Sequence, residues 1–210
     1  MESIVEDIVE ISISTRPDCI SEDYLIFLDS VKKEHNVNIS IELGLQTVNY
    51  HTLISINRGH TLSEFIDAVL RIKKYGFEIC AHVILNLPGD NIIDTIETAK
   101  ILTVLKVDQV KIHSLYIMEN TVMGILYKNE EITVITKDEY VERVITFLEY
   151  LHEDIVVQRL VGRAPKENSL FVNWGISWWK IKDDIMDKMS KNKRYQGSKV
   201  KAQIEMYKNK

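Results

Sequence analysis

The sequence has few of the residues that characterise secreted, fibrous or disordered proteins. Its 210 residues include two cysteines, three prolines and eight glycines. Two cysteines are too few for the disulfide scaffold of a small secreted domain, and so little proline and glycine excludes collagen-like and proline-rich chains. Hydrophobic residues make up 45% of the chain, enough to bury a sizeable core. The composition therefore predicts one large globular domain or two small ones.

Long apolar runs are also missing. No stretch approaches the roughly 18 residues that a membrane-spanning helix needs. The first ten residues, MESIVEDIVE, are acidic, whereas a secretory signal begins with basic residues followed by an apolar run. We expect a cytoplasmic protein with no membrane partner.

The net charge of −5 is distributed unevenly along the chain. Residues 180–210 contain ten lysines and arginines against four acidic residues, so this segment carries +6 and residues 1–179 carry −11. A basic tail can contact the phosphates of a nucleic acid. A solvated helix with a frayed end is the simpler interpretation, and both remain open.

Predicted strands and helices alternate along the chain. Apolar β-branched runs predict strands at 8–14, 38–46, 77–85, 108–116 and 154–160. Capping patterns and apolar periodicity predict helices that begin after Ser21, Thr61, Asp90 and Thr136. This order is typical of parallel strands covered by helices, with functional groups at the C-terminal strand ends.

The chain is too short for a complete eightfold barrel, which takes about 250 residues. We therefore predict an α/β fold: a partial TIM-like (β/α) barrel of about four to five parallel strands over residues 1–160. A C-terminal helical extension with the basic tail is expected over residues 161–210.

Each predicted strand has one apolar face and one polar face. Because side chains alternate along a strand, helices covering the apolar faces would leave the polar faces on one concave side. Polar groups are costly to bury without partners, so this lumen is best explained as a wet cavity that holds a ligand. An antiparallel sheet with one solvated face is the alternative. The lumen positions include Ser14, Glu42, Gln46, His82, Lys111 and His113.

Three loops after predicted strands carry further candidate residues. STRPDC places Arg16 before a proline, and residues 44–60 carry Arg58 and His60 into the turn before a helix. LPGD ends in Asp90, which we expect to open the next helix, where N-terminal amides favour an anion. A zinc or manganese site on Glu42 and two lumen histidines is a further alternative.

Several motifs together resemble one enzyme family. ISISTRPDCI, ELGLQT, INRGHT, LPGD, VKIHSLY, QRLVGRAP and RYQG follow one another between residues 8 and 197. This ordered set is similar to bacterial radical S-adenosylmethionine (SAM) proteins related to the elongator catalytic subunit. The resemblance implies a partial (β/α) barrel, a 4Fe-4S cluster and reductive cleavage of SAM to a 5′-deoxyadenosyl radical. Elongator-like relatives modify tRNA, so RNA is one expected substrate.

The resemblance also implies roles for individual residues. Gln46 and Arg58 match positions that contact the methionine part or the ribose of SAM, and His82 stands where some relatives place a ribose-binding Asp. Ser14 replaces a Glu common in relatives, and we expect it to lie at the cofactor too. Candidates for the substrate side are Arg16, Glu42, Lys111 and His113.

The sequence departs from the family pattern in three places. The Cys-x3-Cys-x2-Cys motif that holds the cluster is absent. Asn86 replaces a usual Gly before LPG, and Arg163 replaces a usual Asp after the Gly of QRLVG. We interpret the chain as the C-terminal portion of a radical SAM enzyme, inactive alone and self-associating through an exposed first strand. A degenerate paralogue, a non-catalytic nucleic-acid-binding module and a metal-dependent barrel enzyme using His82 and His113 are the alternatives.

Overall fold

The computed structural model describes residues 8–163 and 167–200. Its strands are β1 (Glu10–Thr15), β2 (Asn38–Gln46), β3 (Glu78–Ile84), β4 (Gln109–His113), β5 (Tyr116–Met118), β6 (Val156–Arg159) and β7 (Ser169–Val172). Its α-helices are α1 (Glu22–His35), α2 (Tyr50–Ser55), α3 (Leu62–Lys74), α4 (Ile92–Leu105), α5 (Val122–Lys128), α6 (Lys137–Tyr150) and α7 (Trp178–Lys191). Residues 164–166, which include the last two residues of the QRLVGRAP motif, and residues 201–210 of the basic tail lie outside the described residues.

Five strands form one parallel sheet in the order β1-β2-β3-β4-β6. The helices between them lie outside the sheet and cover its apolar face. This arrangement confirms the predicted α/β fold and the parallel order of neighbouring strands. Within the described residues, β1 pairs only with β2 and β6 pairs only with β4, so the sheet is an open arc with two free edges.

Local hydrogen bonds explain where the helices begin. The Ser21 side chain accepts from the Tyr24 N–H at the start of α1, and the Thr136 side chain accepts from the Glu139 N–H at the start of α6. At α3 the Thr61 N–H donates to the carboxylate of the third helical residue. These contacts satisfy amide groups that the first helical turn leaves unpaired.

The predicted start of α4 was wrong by one residue. Asn91, and not Asp90, is the N-cap, and its side chain accepts from the Ile93 N–H while the Asp94 carboxylate accepts from the Asn91 N–H. Because Asp94 stands three positions after Asn91, only this placement completes a capping box.

The core lies between the sheet and its helices. The apolar positions of β2 and the inner faces of α3 and α6 are fully buried, which is worth roughly 1.5–3 kcal/mol for each large side chain. Completely buried examples are Ile41, Leu43, Leu45, Phe65, Val69, Ile72, Val144 and Phe147. The apolar strand positions that alternation assigns to the core face are therefore the ones buried in the structure.

The C-terminal part contains elements that the sequence did not predict. The expected strand at 108–116 ends at His113, and the chain then enters β5, which pairs with β7 in a separate antiparallel two-stranded sheet. Helix α7 packs Ile181 and Ile185 into the same core as the main sheet. The division at residue 160 stays a prediction.

In the two described ranges, the helices are all too short or too polar to cross a membrane.

Candidate functional site

One carboxylate organises the lumen of the sheet. Glu42 on β2 accepts hydrogen bonds from Ser12 Oγ at 2.9 Å, Ser14 Oγ at 3.0 Å and His82 Nε2 at 2.8 Å. The ammonium group of Lys111 donates at 2.5 Å to Glu42 Oε1, the oxygen that also accepts from Ser12. The Glu42 side chain is only 12% exposed. Four donors from three strands therefore hold one partly buried negative charge.

Strand register brings these side chains together. Ser14 is paired with Glu42 across β1 and β2, and His82 is paired with Lys111 across β3 and β4. Paired residues of a parallel sheet point to the same face. The prediction from strand parity that these side chains share one face of the sheet is thus confirmed.

The lumen contacts fix the charge of Glu42. Burial alone would raise its pKa, but hydrogen bonds from Lys111, the two serines and His82 outweigh this effect and lower the pKa to about 2. Glu42 therefore stays ionised at neutral pH and forms a partly buried ion pair with Lys111.

Two histidines extend this network toward the open cavity. The rings of His82 and His113 stack with centroids 5.1 Å apart, and His113 Nε2 lies 3.2 Å from His82 Nδ1. Burial lowers the pKa of both rings, and for His113 the neighbouring ring and the cations Arg159 and Lys111 lower it further, to about 4. Both imidazoles are therefore neutral at pH 7.

Neutral imidazoles beside an ionised carboxylate have defined roles. Because Glu42 can only accept, His82 donates from Nε2 to it and accepts at Nδ1 from His113 Nε2–H. His113 Nδ1 is then left with a lone pair. The hydrogen-bonded series of Glu42, His82 and His113 can hold or transmit one proton.

This bonding pattern differs from a metal centre. His82 uses one ring nitrogen for Glu42 and the other for His113. Across residues 8–163 and 167–200, no group of three His, Cys, Asp or Glu side chains converges as metal ligands would.

A second cluster forms where β2 ends. Pairing with β3 shifts between Gly44 and Gln46, and Gln46 has a left-handed φ of 68°. Arg58 Nη2 donates to the Gly44 carbonyl at 3.3 Å, and Arg58 Nε donates to His60 Nε2 at 3.0 Å. A Cβ at Gly44 would lie 2.6 Å from both Arg58 Nη2 and Gln46 Nε2. The absence of a side chain at Gly44 lets these two polar groups meet above the strand.

This cluster is electropositive. Burial and the positive charge of Arg16 both lower the pKa of Arg58, and Arg16 lies against Gly59. Arg16 is also paired with Asp18 in the short turn after β1. Because Asp18 already neutralises Arg16, Arg58 is the guanidinium that suits an anionic ligand group such as a carboxylate.

An open cavity of about 380 Å³ lies at the C-terminal ends of β3 and β4. Its lining residues are Gln46, His82, Ile84, His113, Ser114, Leu115 and Tyr116. The structure thus brings Gln46 to the same cavity as the two lumen histidines, while Arg16 and Arg58 lie in the second cluster.

Two asparagines that were not among the candidate site residues support the cavity wall. Asn173 accepts from the Ser114 hydroxyl and donates from Nδ2 to the Gly162 carbonyl at 3.1 Å. Asn86 Oδ1 accepts from the Leu115 N–H at 2.6 Å. The departure from glycine at residue 86 is a signal that could have indicated the second contact, whereas no local pattern indicates the first.

Asp90, expected at a helix N-terminus, instead interacts with Thr47 and Thr52. Burial raises the pKa of its carboxyl group above the usual value. The threonines follow Gln46, so Asp90 supports the loop that leaves β2.

The open parallel sheet with outer helices and a polar concave face places the protein among TIM-like (β/α) barrels. Comparison with known sequence families identifies the family of barrel proteins to which the chain belongs. The radical SAM superfamily profile matches residues 1–102, and the radical SAM C-terminal domain profile matches residues 107–191. The chain belongs to the radical SAM superfamily.

Curated relatives are longer than this chain. It is 32% identical to Bacillus subtilis YtqA over 193 residues, covering 92% of this chain and 59% of YtqA. It is 33% identical over 195 residues to an uncharacterized Methanocaldococcus jannaschii protein, covering 92% of this chain and 60% of that protein. The chain therefore spans about three fifths of the length of these relatives.

The superfamily also contains proteins related to Elp3. The chain is 27% identical over 140 residues to the tRNA uridine(34) acetyltransferase of Methanocaldococcus infernus, covering 64% of this chain and 25% of that protein. It superposes on the solved structure of M. infernus Elp3 lacking residues 1–46 with a TM-score of 0.76 and 21% identity, covering 90% of this chain and 43% of the other. This superposition supports the fold.

The family implies SAM and a 4Fe-4S cluster as cofactors, and the residues present fit the two differently. The cleft around Gly44 offers a guanidinium and an amide to a SAM-like ligand. The only cysteines are Cys19, which is exposed, and Cys80, which is buried in β3. Burial raises the pKa of Cys80 to about 12, so its thiol stays protonated. Two such cysteines do not fit a cluster held by thiolates.

Proposed function

We propose that this chain forms the SAM-binding and substrate-side part of a radical SAM enzyme, with SAM bound at the C-terminal ends of β2 and β3. The observation that carries the proposal is the cleft at Gly44, where Arg58 and Gln46 meet beside the lumen histidines. In the family, SAM supplies a 5′-deoxyadenosyl radical when it is cleaved on the cluster.

Arg58 is the proposed contact for the methionine carboxylate of SAM. The Gly44 carbonyl and His60 hold its guanidinium in place with two of its five N–H donors. The remaining donors are free to bind a carboxylate in a charge-assisted pair. Gln46 offers an amide to the same ligand.

His82 and Ser14 are proposed to lie at the ribose end of SAM. Both side chains donate to Glu42, so Glu42 sets their orientation. The Ser14 hydroxyl keeps its acceptor lone pairs, and a ribose hydroxyl is a matching donor. Both ring nitrogens of His82 are already used, so a ribose hydroxyl would replace His113 as the donor to His82 Nδ1.

The substrate side is proposed to comprise Glu42, Lys111, His113 and Arg16. Hydrogen abstraction by a radical changes the acidity of neighbouring groups on the substrate, and an enzyme needs a residue that accepts or supplies a proton there. His113 is suited to this role because its Nδ1 lone pair lies at the end of the series of hydrogen bonds that begins at Glu42. RNA is the proposed substrate class, on the ground of the relatives that act on tRNA uridine.

We further propose that the 210-residue chain does not cleave SAM by itself, because it has no third cysteine for the cluster. Anaerobic reconstitution with iron and sulfide should give no 4Fe-4S absorption, and dithionite should produce no 5′-deoxyadenosine. Detection of 5′-deoxyadenosine above background would overturn this part of the proposal.

Calorimetric titration of the chain with SAM tests the proposed binding site. Arg58→Gln should weaken SAM binding by about 1–3 kcal/mol, the range for losing a charge-assisted hydrogen bond. Arg58→Lys keeps the positive charge but not the planar guanidinium. Its SAM affinity should lie between those of Arg58→Gln and the unchanged chain. The matched control, Lys74→Gln on the exposed surface of α3, should bind SAM as the unchanged chain does. Equal SAM affinity in Arg58→Gln and in the unchanged chain would refute the site.

A further inference from the structure

A second cavity, of about 410 Å³, lies at the free edge of β6, apart from the lumen cavity. It is formed where the chain leaves β6 and passes the first turn of α7. The residues that matter for its chemistry are Arg159, Leu160, Arg163, Trp178 and Lys182. We call it the β6 edge cavity.

The polar lining of the β6 edge cavity is positively charged. Arg159, Arg163 and Lys182 contribute three cations, and no carboxylate lines the cavity. None of the three forms an ion pair with a carboxylate elsewhere in residues 8–163 and 167–200, although the chain as a whole is acidic. Cations gathered in this way create a local positive potential that an anion would neutralise.

One of these cations is held in position by an aromatic ring. The Arg163 guanidinium carbon lies 4.3 Å from the centroid of the Trp178 ring. A guanidinium stacked on a ring keeps its N–H groups at its edge, where they remain available to an oxyanion. The cavity therefore has a preorganised donor as well as charge.

The cavity lies beside the proposed active site. A register shift between β4 and β6 pairs Arg159 with Lys111, so Arg159 lies on the lumen face. Its charge also lowers the pKa values of the two lumen histidines. A ligand anchored at Arg159 would thus have its remainder next to the lumen.

We propose that the β6 edge cavity binds a phosphate group of the substrate, either in a nucleotide or in an RNA strand. Three cations, one of them the stacked guanidinium of Arg163, match the charge and the oxygen acceptors of a phosphate. The inference rests on the proposed function for the claim that the bound molecule is the substrate, but phosphate binding itself can be measured without SAM.

Titration of the full chain with three probes tests the cavity: pyrophosphate, adenosine monophosphate and a short oligoribonucleotide. Arg163→Gln and Lys182→Gln should each weaken binding about five- to tenfold and reduce the salt slope of RNA binding by about 1. The matched control is Lys180→Gln, which removes the same charge two residues away on the exposed side of α7 and should change affinity less than about twofold.

The probes distinguish the source of the phosphate. Tighter binding of the oligoribonucleotide than of the monophosphate supports an RNA strand, and equal binding supports a nucleotide. Failure of all three probes to bind at millimolar concentration, or an equal loss in Lys180→Gln, overturns the proposal.

The two proposed sites can fail independently. Arg163→Gln should leave SAM affinity unchanged, whereas Arg58→Gln should lose SAM affinity and keep phosphate binding. Loss of phosphate binding in Arg58→Gln but not in Arg163→Gln would place the phosphate in the cleft at Gly44 and refute the β6 edge cavity.

Discussion

Replacement of His113 by glutamine should reduce the loss of folding stability that the chain undergoes as the pH falls from about 6.5 toward about 4. The pKa of His113 is about 4 in the folded chain and about 6.5 when unfolded. Between these values the unfolded chain binds a proton that the folded chain does not, so stability falls as the pH falls from 6.5 toward 4. The effect is absent above about pH 7.

The two pKa values set the magnitude. Between about pH 7.5 and pH 5, the difference in proton binding amounts to about 2 kcal/mol in the free energy of unfolding. Because His113 is only partly buried, solvent screening reduces the expected effect to about 1–2 kcal/mol. His82 shifts in the same direction and adds to the loss.

Urea denaturation at several pH values measures this dependence. His113→Gln should lose less stability on acidification than the unchanged chain, whatever its stability at neutral pH. The matched control, His51→Gln in α2, removes an exposed histidine and should keep the full acid dependence. Equal pH slopes in His113→Gln and the unchanged chain, or a ring titration of His113 near pH 6.5 by NMR, would refute the reasoning.

Three further outcomes are expected. Glu42→Gln should destabilise the chain by about 2–4 kcal/mol at pH 7, because Lys111 is left partly buried without its partner. This difference in stability should shrink as the pH approaches 2. Equal stability of Glu42→Gln and the unchanged chain in urea denaturation at neutral pH would contradict the ion pair. Gly124→Ala should cost about 2 kcal/mol or more, since its Cβ would lie 2.3 Å from the Met118 carbonyl oxygen; an unchanged melting temperature would contradict this. The free edge of β1 should cause concentration-dependent association in sedimentation experiments, which Val9→Lys should reduce; a monomer at all concentrations would contradict it.

Strand parity allowed much of the lumen to be predicted. In a parallel sheet, alternate residues face one side, so the correct strand order was enough to place Glu42, His82 and Lys111 on the same face. The same alternation places His113 on this face, but its hydrogen bond to His82 depends on the register of β3 and β4, which alternation does not specify.

Contacts between distant and irregular segments could not be predicted in this way. Strands β5 and β7 are three and four residues long, too short for a clear alternation. Trp178 meets Arg163 across a segment that includes β7, so no local pattern predicts their contact. Helix α2 lies in a segment interpreted as a loop, because a helix of six residues shows less than two turns of periodicity.

The pairing of β5 with β7 has a consequence for the order of folding. About fifty residues, including α5, α6 and β6, separate the two strands, so their ladder closes a long loop for few hydrogen bonds. The entropy of that closure is recovered only after α6 has docked on the sheet. We expect the ladder to form late and to open first in native-state hydrogen exchange. Because Tyr116 belongs both to β5 and to the wall of the lumen cavity, opening the ladder would also loosen that wall.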